Sequence, residues 1–202
     1  ETKLINIIKQ MSKVATMPVT VGGKIKSLKN AEDYLINGAD KISINSQAQL
    51  NPNFLKNCAK EFGSQCVVNS VDILKEDGNY NLFYNGKLQR SKYSLIEWIK
   101  ISQDMGVGEF FFNSIDRDGS AKGYDYELCD ILENNVKTPF IFCGGAGSLD
   151  DFYNIASKSK VDGIAAANFF QYTEHSVYKV KDYLYKKNLN FRKPEFIRHD
   201  LL

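Results

Sequence analysis

Two segments of this chain repeat one another 122 residues apart, and that echo limits the fold more than any other feature. Val21-Gly22-Gly23-Lys24-Ile25-Lys26-Ser27-Leu28 leads to Gly38-Ala39-Asp40-Lys41-Ile42-Ser43-Ile44-Asn45-Ser46. Cys143-Gly144-Gly145-Ala146-Gly147-Ser148-Leu149 leads to Val161-Asp162-Gly163-Ile164-Ala165-Ala166-Ala167-Asn168. The glycine pairs (144 − 22) and the aspartates (162 − 40) are each 122 apart, with a one-residue slip between them. Each copy reads as an apolar strand, a Gly-Gly turn, an amphipathic segment and a second strand ending in a small polar residue. A repeated unit of this kind specifies a repeating α/β architecture. It also predicts two similar sites for something small and anionic.

The pattern between the copies agrees. Strands are expected at Pro18–Val21, Lys41–Asn45, Cys66–Val71, Phe110–Ile115, Phe140–Cys143 and Gly163–Asn168. Several are unbroken apolar runs, as parallel strands covered on both faces require. Helical periodicity falls at Thr2–Ser12, Asn30–Ile36, Pro52–Phe62, Ser94–Met105, Tyr126–Glu133, Leu149–Ser157 and Glu174–Lys186. Within Asn79–Leu88, alternation of Tyr80, Leu82 and Tyr84 before Asn85-Gly86 marks a β-hairpin inserted at 78–88. Right-handed βα crossovers give an open doubly wound sheet or a closed (β/α)8 barrel. Six strands fall short of a barrel, which takes about 250 residues. The barrel reading therefore expects residues 1–202 to form one domain of two half-barrel repeats, with the first one to two βα units missing from the front. The open sheet is the alternative.

Composition excludes several classes. A net charge of +2 gives no electrostatic case for nucleic acid or an acidic membrane surface. No apolar run approaches the ~18 residues that span a bilayer, and no signal-peptide layout opens the chain, so a cytoplasmic protein is expected. The four cysteines have neither zinc-ligand spacing nor a disulfide framework, and there are two histidines. No metal site and no cofactor are expected.

In a βα barrel, ligands gather where strands end. Those positions here are Gly22-Gly23, Asn45-Ser46, Asp72, Asp116, Asp118-Gly119, Gly144-Gly145 and Ala167-Asn168. Glycine turns let the backbone approach a ligand, and exposed amides bind phosphate. Two such cradles suit a long substrate with a phosphate at each end. Asn69-Ser70-Val71-Asp72 and Asn113-Ser114-Ile115-Asp116 end their strands in one pattern. A carboxylate placed there serves as general acid or base when its surroundings raise its pKa. Asp116 is explained as well by capping a turn; Asp72, ahead of an insertion, is not. At the opposite strand ends, Lys41 and Glu109 place charge beside an apolar interior, which is costly unless paired.

Thr20-Val21-Gly22-Gly23, Gly38–Ser46, Phe62-Gly63-Ser64-Gln65-Cys66-Val67-Val68, Ser114-Ile115-Asp116-Arg117-Asp118-Gly119 with Gly123-Tyr124-Asp125, and Gly144-Gly145-Ala146-Gly147 together resemble the cyclase subunit of imidazole glycerol phosphate synthase. The likeness runs from about Pro18 to the C-terminal helix. It implies a (β/α)8 barrel of two half-barrels and a lyase of histidine biosynthesis. Such an enzyme takes ammonia from a partner glutaminase at the barrel bottom. It cleaves and cyclises a bis-phosphorylated formimino-aminoimidazole-carboxamide ribulotide to imidazole glycerol phosphate and a purine-pathway ribotide. The resemblance implies catalysis by Asp72, with a second aspartate on a strand ahead of this sequence. It implies substrate and phosphate contacts at Gly23, Asn45, Ser46, Asn113, Ser114, Asp118, Gly119, Gly144, Gly145, Ala167 and Asn168. Lys41 and Glu109 match an ammonia gate, and Asp40 and Gln65 match the glutaminase-facing side.

The chain also departs from the family pattern. Lys24 stands where a third glycine is usual, Asn113 for Thr, Asn168 for Ser, Gln171 for His, and Asn69-Ser70 for smaller apolar residues. These changes resemble a paralogous group that relays ammonia for amidination of a surface-polysaccharide sugar. A non-catalytic phosphate-binding barrel that scaffolds a glutaminase is the third reading.

Overall fold

A computed structural model describes residues 2–171 and 176–194. Helix α1 (Thr2–Val14) precedes strand β1 (Thr20–Gly22), α2 (Leu28–Ile36), β2 (Lys41–Ile44), α3 (Ser46–Leu50), α4 (Asn53–Phe62) and β3 (Val67–Glu76). The strands β4 (Asn79–Tyr84) and β5 (Gln89–Ser94) follow, then α5 (Leu95–Asp104), β6 (Glu109–Ser114), α6 (Tyr126–Asn135), β7 (Phe140–Cys143), α7 (Leu149–Lys158), β8 (Gly163–Ala165) and α8 (Val177–Lys186). Six strands pair in parallel in the order β1-β2-β3-β6-β7-β8. This is the α/β architecture of a (β/α)8 barrel, a curled parallel sheet backed by helices. The predicted helix over 174–186 begins in part outside the described residues.

Burial alternates along the strands, and the alternation separates two chemistries. Ile42, Ile44, Val67, Val71, Ile73, Phe110, Phe112 and Phe140 join the main core with Ile8, Tyr34, Leu55, Trp98, Leu128 and Ile155 of the surrounding helices. The alternate positions, Lys41, Ser43, Ser70, Asp72, Glu109, Phe111 and Asn113, face the concave interior and stay partly exposed. A strand slipped by one residue would put Lys41 and Glu109 into the helix layer, so this pattern pins the register.

The structure sharpens the sequence echo. Thr20, Val21 and Gly22 pair with Lys41, Ile42 and Ser43, while Ile141, Phe142 and Cys143 pair with Gly163, Ile164 and Ala165. Gly22 is therefore the counterpart of Cys143, an offset of 121 in the first strand that becomes 122 in the second. Ser27 and Ser148 cap α2 and α7 with matching backbone angles (φ −143 and −144°), each accepting from the amide three residues on. Asp40 accepts from the Val19 amide at 2.7 Å, and Asp162 from the Phe140 amide at 3.0 Å. Lys24 thus stands opposite Gly145, not Ala146.

Several elements differ in extent from the sequence reading. The strand expected over Gly163–Asn168 stops at Ala165, where its pairing with β7 ends and a 3-10 turn follows at Asn168, and the short helix α3 is not among those expected. Strand β3 runs on to Glu76, because its outer half pairs with β4 through the Asp77-Gly78 turn. The hairpin's return arm is β5, beyond Leu88; Gln89-Arg-Ser-Lys-Tyr-Ser carries no apolar alternation, so its pattern alone does not mark it.

Candidate functional site

Asp72 lies on the inner face of β3, in register with Asn113 of β6. Asn45, which opens α3, donates its amide to one carboxylate oxygen at 2.9 Å, and Asn113 donates to the other at 3.4 Å. Burial pushes the Asp72 carboxyl up from its ordinary value; the Asn113 amide, the Lys87 charge and the Asn45 amide pull it down, and Asp118 adds to the upward push. Desolvation prevails. Both oxygens are aimed by neutral donors, while the charge is poorly solvated: such a carboxylate is suited to exchanging protons. The side-chain oxygens of Asn45 and Asn113 are buried without a partner.

A cavity of about 530 Å³ opens over the ends of β1 and β2, lined by the Asn45 that donates to Asp72. Gly23, Asn45 and Ser46 line it, with Lys24, Lys26 and Tyr84, so the first-half positions expected from sequence come together. Lys24 holds a left-handed backbone (φ +57°). Nothing lies within 4 Å of where a Cβ on Gly23 would stand. Ser46 also accepts from the Asn85 amide at the hairpin tip, at 3.0 Å.

The second-half positions form a closed cluster instead. A Cβ on Gly144 would strike the Ser114 carbonyl, and one on Gly145 would overlap the Gly123 carbonyl oxygen. Gly123 returns its amide to the Gly145 carbonyl at 2.9 Å. Gly119 faces the Asn168 amide, and Ala167 precedes a 3-10 turn at Asn168–Gln171. The Ser114 hydroxyl is buried and donates to Asp116 at 3.3 Å. Asp118 lies near enough to raise both Asp72 and the Cys143 thiol, which burial already lifts; the thiol stands at about 11. In the first turn of α7, the Asp151 carboxylate accepts from the amides of Gly147 and Ser148 at 2.9 and 2.8 Å.

At the other end of the strands, Lys41 and Glu109 form an ion pair inside the sheet's curl, reaching across β3. Asp40 and Gln65 lie at that same end, before β2 and β3; the Gln65 side chain folds over Gly63. No helix among the described residues is long and apolar enough to cross a membrane. Among them, no group of three His, Cys, Asp or Glu is placed to hold a metal.

Sequence reasoning missed Lys26, Tyr84, Asn85 and Lys87. The predicted hairpin marked a tip near Asn85-Gly86, but nothing local says that the tip folds over the strand ends.

Comparison with known proteins adds the family. Residues 1–176 match the family model described as histidine biosynthesis protein. The imidazole glycerol phosphate synthase subunit HisF of Clostridium botulinum (strain Langeland) is 39% identical over 191 residues, covering 94% of this chain and 76% of the relative. The same subunit of Natranaerobius thermophilus is 36% identical over 189 residues, covering 94% and 75%. That of Chlorobium phaeovibrioides is 36% identical over 192 residues, covering 95% and 76%.

Proposed function

The chain belongs to the histidine biosynthesis protein family, and we propose that it is the cyclase subunit of an imidazole glycerol phosphate synthase. It uses ammonia to cleave and cyclise a bis-phosphorylated formimino-aminoimidazole-carboxamide ribulotide. The products are imidazole glycerol phosphate and a purine-pathway ribotide. The observation that carries this reading is the Asp72 clamp, a poorly solvated carboxylate aimed by Asn45 and Asn113 between two glycine turns.

In this reading Gly23, Lys24, Asn45 and Ser46 hold one phosphate end. Asp118, Gly119, Gly144, Gly145, Ala167 and Asn168 border the other end, with Ser114 buried beneath them. The ammonia nitrogen forms two new C–N bonds, to the ketose carbonyl carbon and to the formimino carbon. The carbonyl oxygen leaves as water and the formimino C–N bond to the ribotide breaks. Protons must therefore leave the incoming nitrogen and reach both leaving groups. Asp72 takes and returns them, at a pKa raised toward the working range. Ammonia arrives from the opposite strand ends past Lys41 and Glu109. A glutaminase subunit docked over Asp40 and Gln65 supplies it, and the complex works in the cytoplasm.

Turnover of the bis-phosphate by the purified protein with ammonium salt tests the proposal. The expected result is product formation that Asp72→Asn removes without unfolding the protein. No turnover by correctly folded protein overturns it. Turnover confined to a nucleotide-linked sugar with its synthetase points instead to the saccharide-amidating branch, with Lys24 and Asn113 as the residues to exchange first.

A further inference from the structure

The hairpin tip is built against its own conformational preferences. Tyr84 pairs with Gln89, leaving Asn85-Gly86-Lys87-Leu88 as the loop. Asn85, Gly86 and Lys87 all take positive φ, +54, +66 and +71°. Asn-Gly suits such a turn, but a lysine in the left-handed region costs roughly 1–2 kcal/mol. The two side chains at the end of the loop part company. Leu88 is 80% exposed, while Lys87 reaches back to the Ile115 carbonyl, its Nζ 3.5 Å from the oxygen. Ile115 closes β6, whose Asn113 clamps Asp72. The tip is fastened to this mouth from the other side by the Asn85 amide on Ser46.

Lys87 stays exposed along its length, yet its ammonium reaches the strand ends, where it lies within electrostatic range of the carboxylates there. Among the described residues Lys87 makes no ion pair, and its one hydrogen-bond partner is a distant neutral carbonyl. The groups acting on Asp72 are the neutral amides of Asn45 and Asn113, the cation of Lys87 from the hairpin, and the anion of Asp118 from the loop after β6. The Cys143 thiol at the end of β7 is neutral at physiological pH. Lys87 therefore opposes Asp118 across the same carboxyl group.

We propose that Lys87 is a positioning residue for Asp72: the hairpin tip is a cover over the strand ends that brings a cation to the mouth and holds the Asp72 carboxylate charged in its two-amide clamp. The inference rests on the reading of Asp72 as the proton-transfer group. It adds that the insertion after β3, outside both glycine turns, tunes that group.

Carboxyl ¹³C NMR titration of Asp72 in the whole protein tests it, with the resonance identified by its loss in Asp72→Asn. Lys87→Met and Lys87→Gln leave Asp118 unopposed and are expected to raise the Asp72 midpoint by about half a pH unit or more. Lys87→Arg keeps the midpoint within about 0.2 unit of the parent. The acidic limb of the kcat profile moves with it. An unchanged midpoint in both neutral variants, with melting temperatures at the parent value, overturns the proposal. So does an Arg variant that shifts as far as they do. The titration needs no substrate, so it decides the role of Lys87 even if the parent protein lacks turnover, an outcome that would overturn the cyclase reading alone.

Discussion

At Gly23-Lys24 the chain leaves β1 into a turn open to a cavity, whereas at Gly144-Gly145 it leaves β7 into a turn packed beneath the loop that follows β6. The frames are alike: equivalent strand pairing, equivalent serine caps, equivalent aspartates tying the second strand back to the first. The chemistry is opposite. The first turn carries Lys24 and Lys26, and the Lys26 amide donates to neutral Asn30. The second carries no cation, and the equivalent Gly147 amide is taken by the Asp151 carboxylate. A duplicated backbone unit conserves the bonds that hold its shape and leaves its ligand-facing positions free to diverge. Intact glycines do not by themselves make the better anion site.

Asp72 lies between the two turns and depends on neither, so the largest effect is expected there. Asp72→Asn should lower turnover by about 10²–10⁴-fold, the range of a positioned acid or base, while phosphate binding at the first turn persists. The same change should stabilise the protein at neutral pH. A carboxyl whose pKa is raised on folding contributes stability below its unfolded pKa and loses it as pH rises through the folded one. The gain seen in Asp72→Asn by denaturant unfolding should thus fade on acidification into the ordinary carboxylate range. A pH-independent gain would mean that desolvation of the charge is not its source.

Gly145→Ala against Gly23→Ala separates the two frames directly. The first forces a Cβ into the Gly123 carbonyl and should cost roughly 3 kcal/mol or more; the second meets only backbone strain, about 1–2 kcal/mol. Equal losses in urea unfolding would refute the open-versus-packed distinction. Lys41→Met strands Glu109 inside the curl and should cost about 1–2 kcal/mol. That is less than a fully buried pair, because 30% of the Lys41 side chain is exposed. It should also depress glutamine-dependent turnover more than ammonium-dependent turnover. Lys24→Gly is the smallest change: relief of its left-handed strain should add about 0.5–1 kcal/mol while weakening anion binding at the first turn.

Much of this was legible in the sequence, for local reasons. The serine caps, the glycine turns and the apolar strands each announce themselves within a few residues, and Asn45, Ser46 and Asp72 stand out as polar ends of apolar strands. The rest depends on pairing across the sheet. That Lys24 is the counterpart of Gly145 follows from strand register, which the glycine pairs alone misplace by one residue. The Asn45–Asp72–Asn113 clamp joins β3 and β6 to the residue just after β2 and appears in no single segment. β5 is polar and exposed, held by its partner rather than by its own pattern. Lys87 reads as an ordinary exposed lysine, and that its ammonium reaches the mouth follows only from the folded hairpin.

Titration of the backbone amides with inorganic phosphate at two salt concentrations tests the inequality of the two turns most directly. The expected result is saturable shifts at Gly23 and Lys24, weakening steeply with salt because lysine charge carries the binding, and a weaker, less salt-sensitive response at Gly144 and Gly145. Equal or tighter binding at Gly144-Gly145, or a first turn indifferent to salt, would contradict the account.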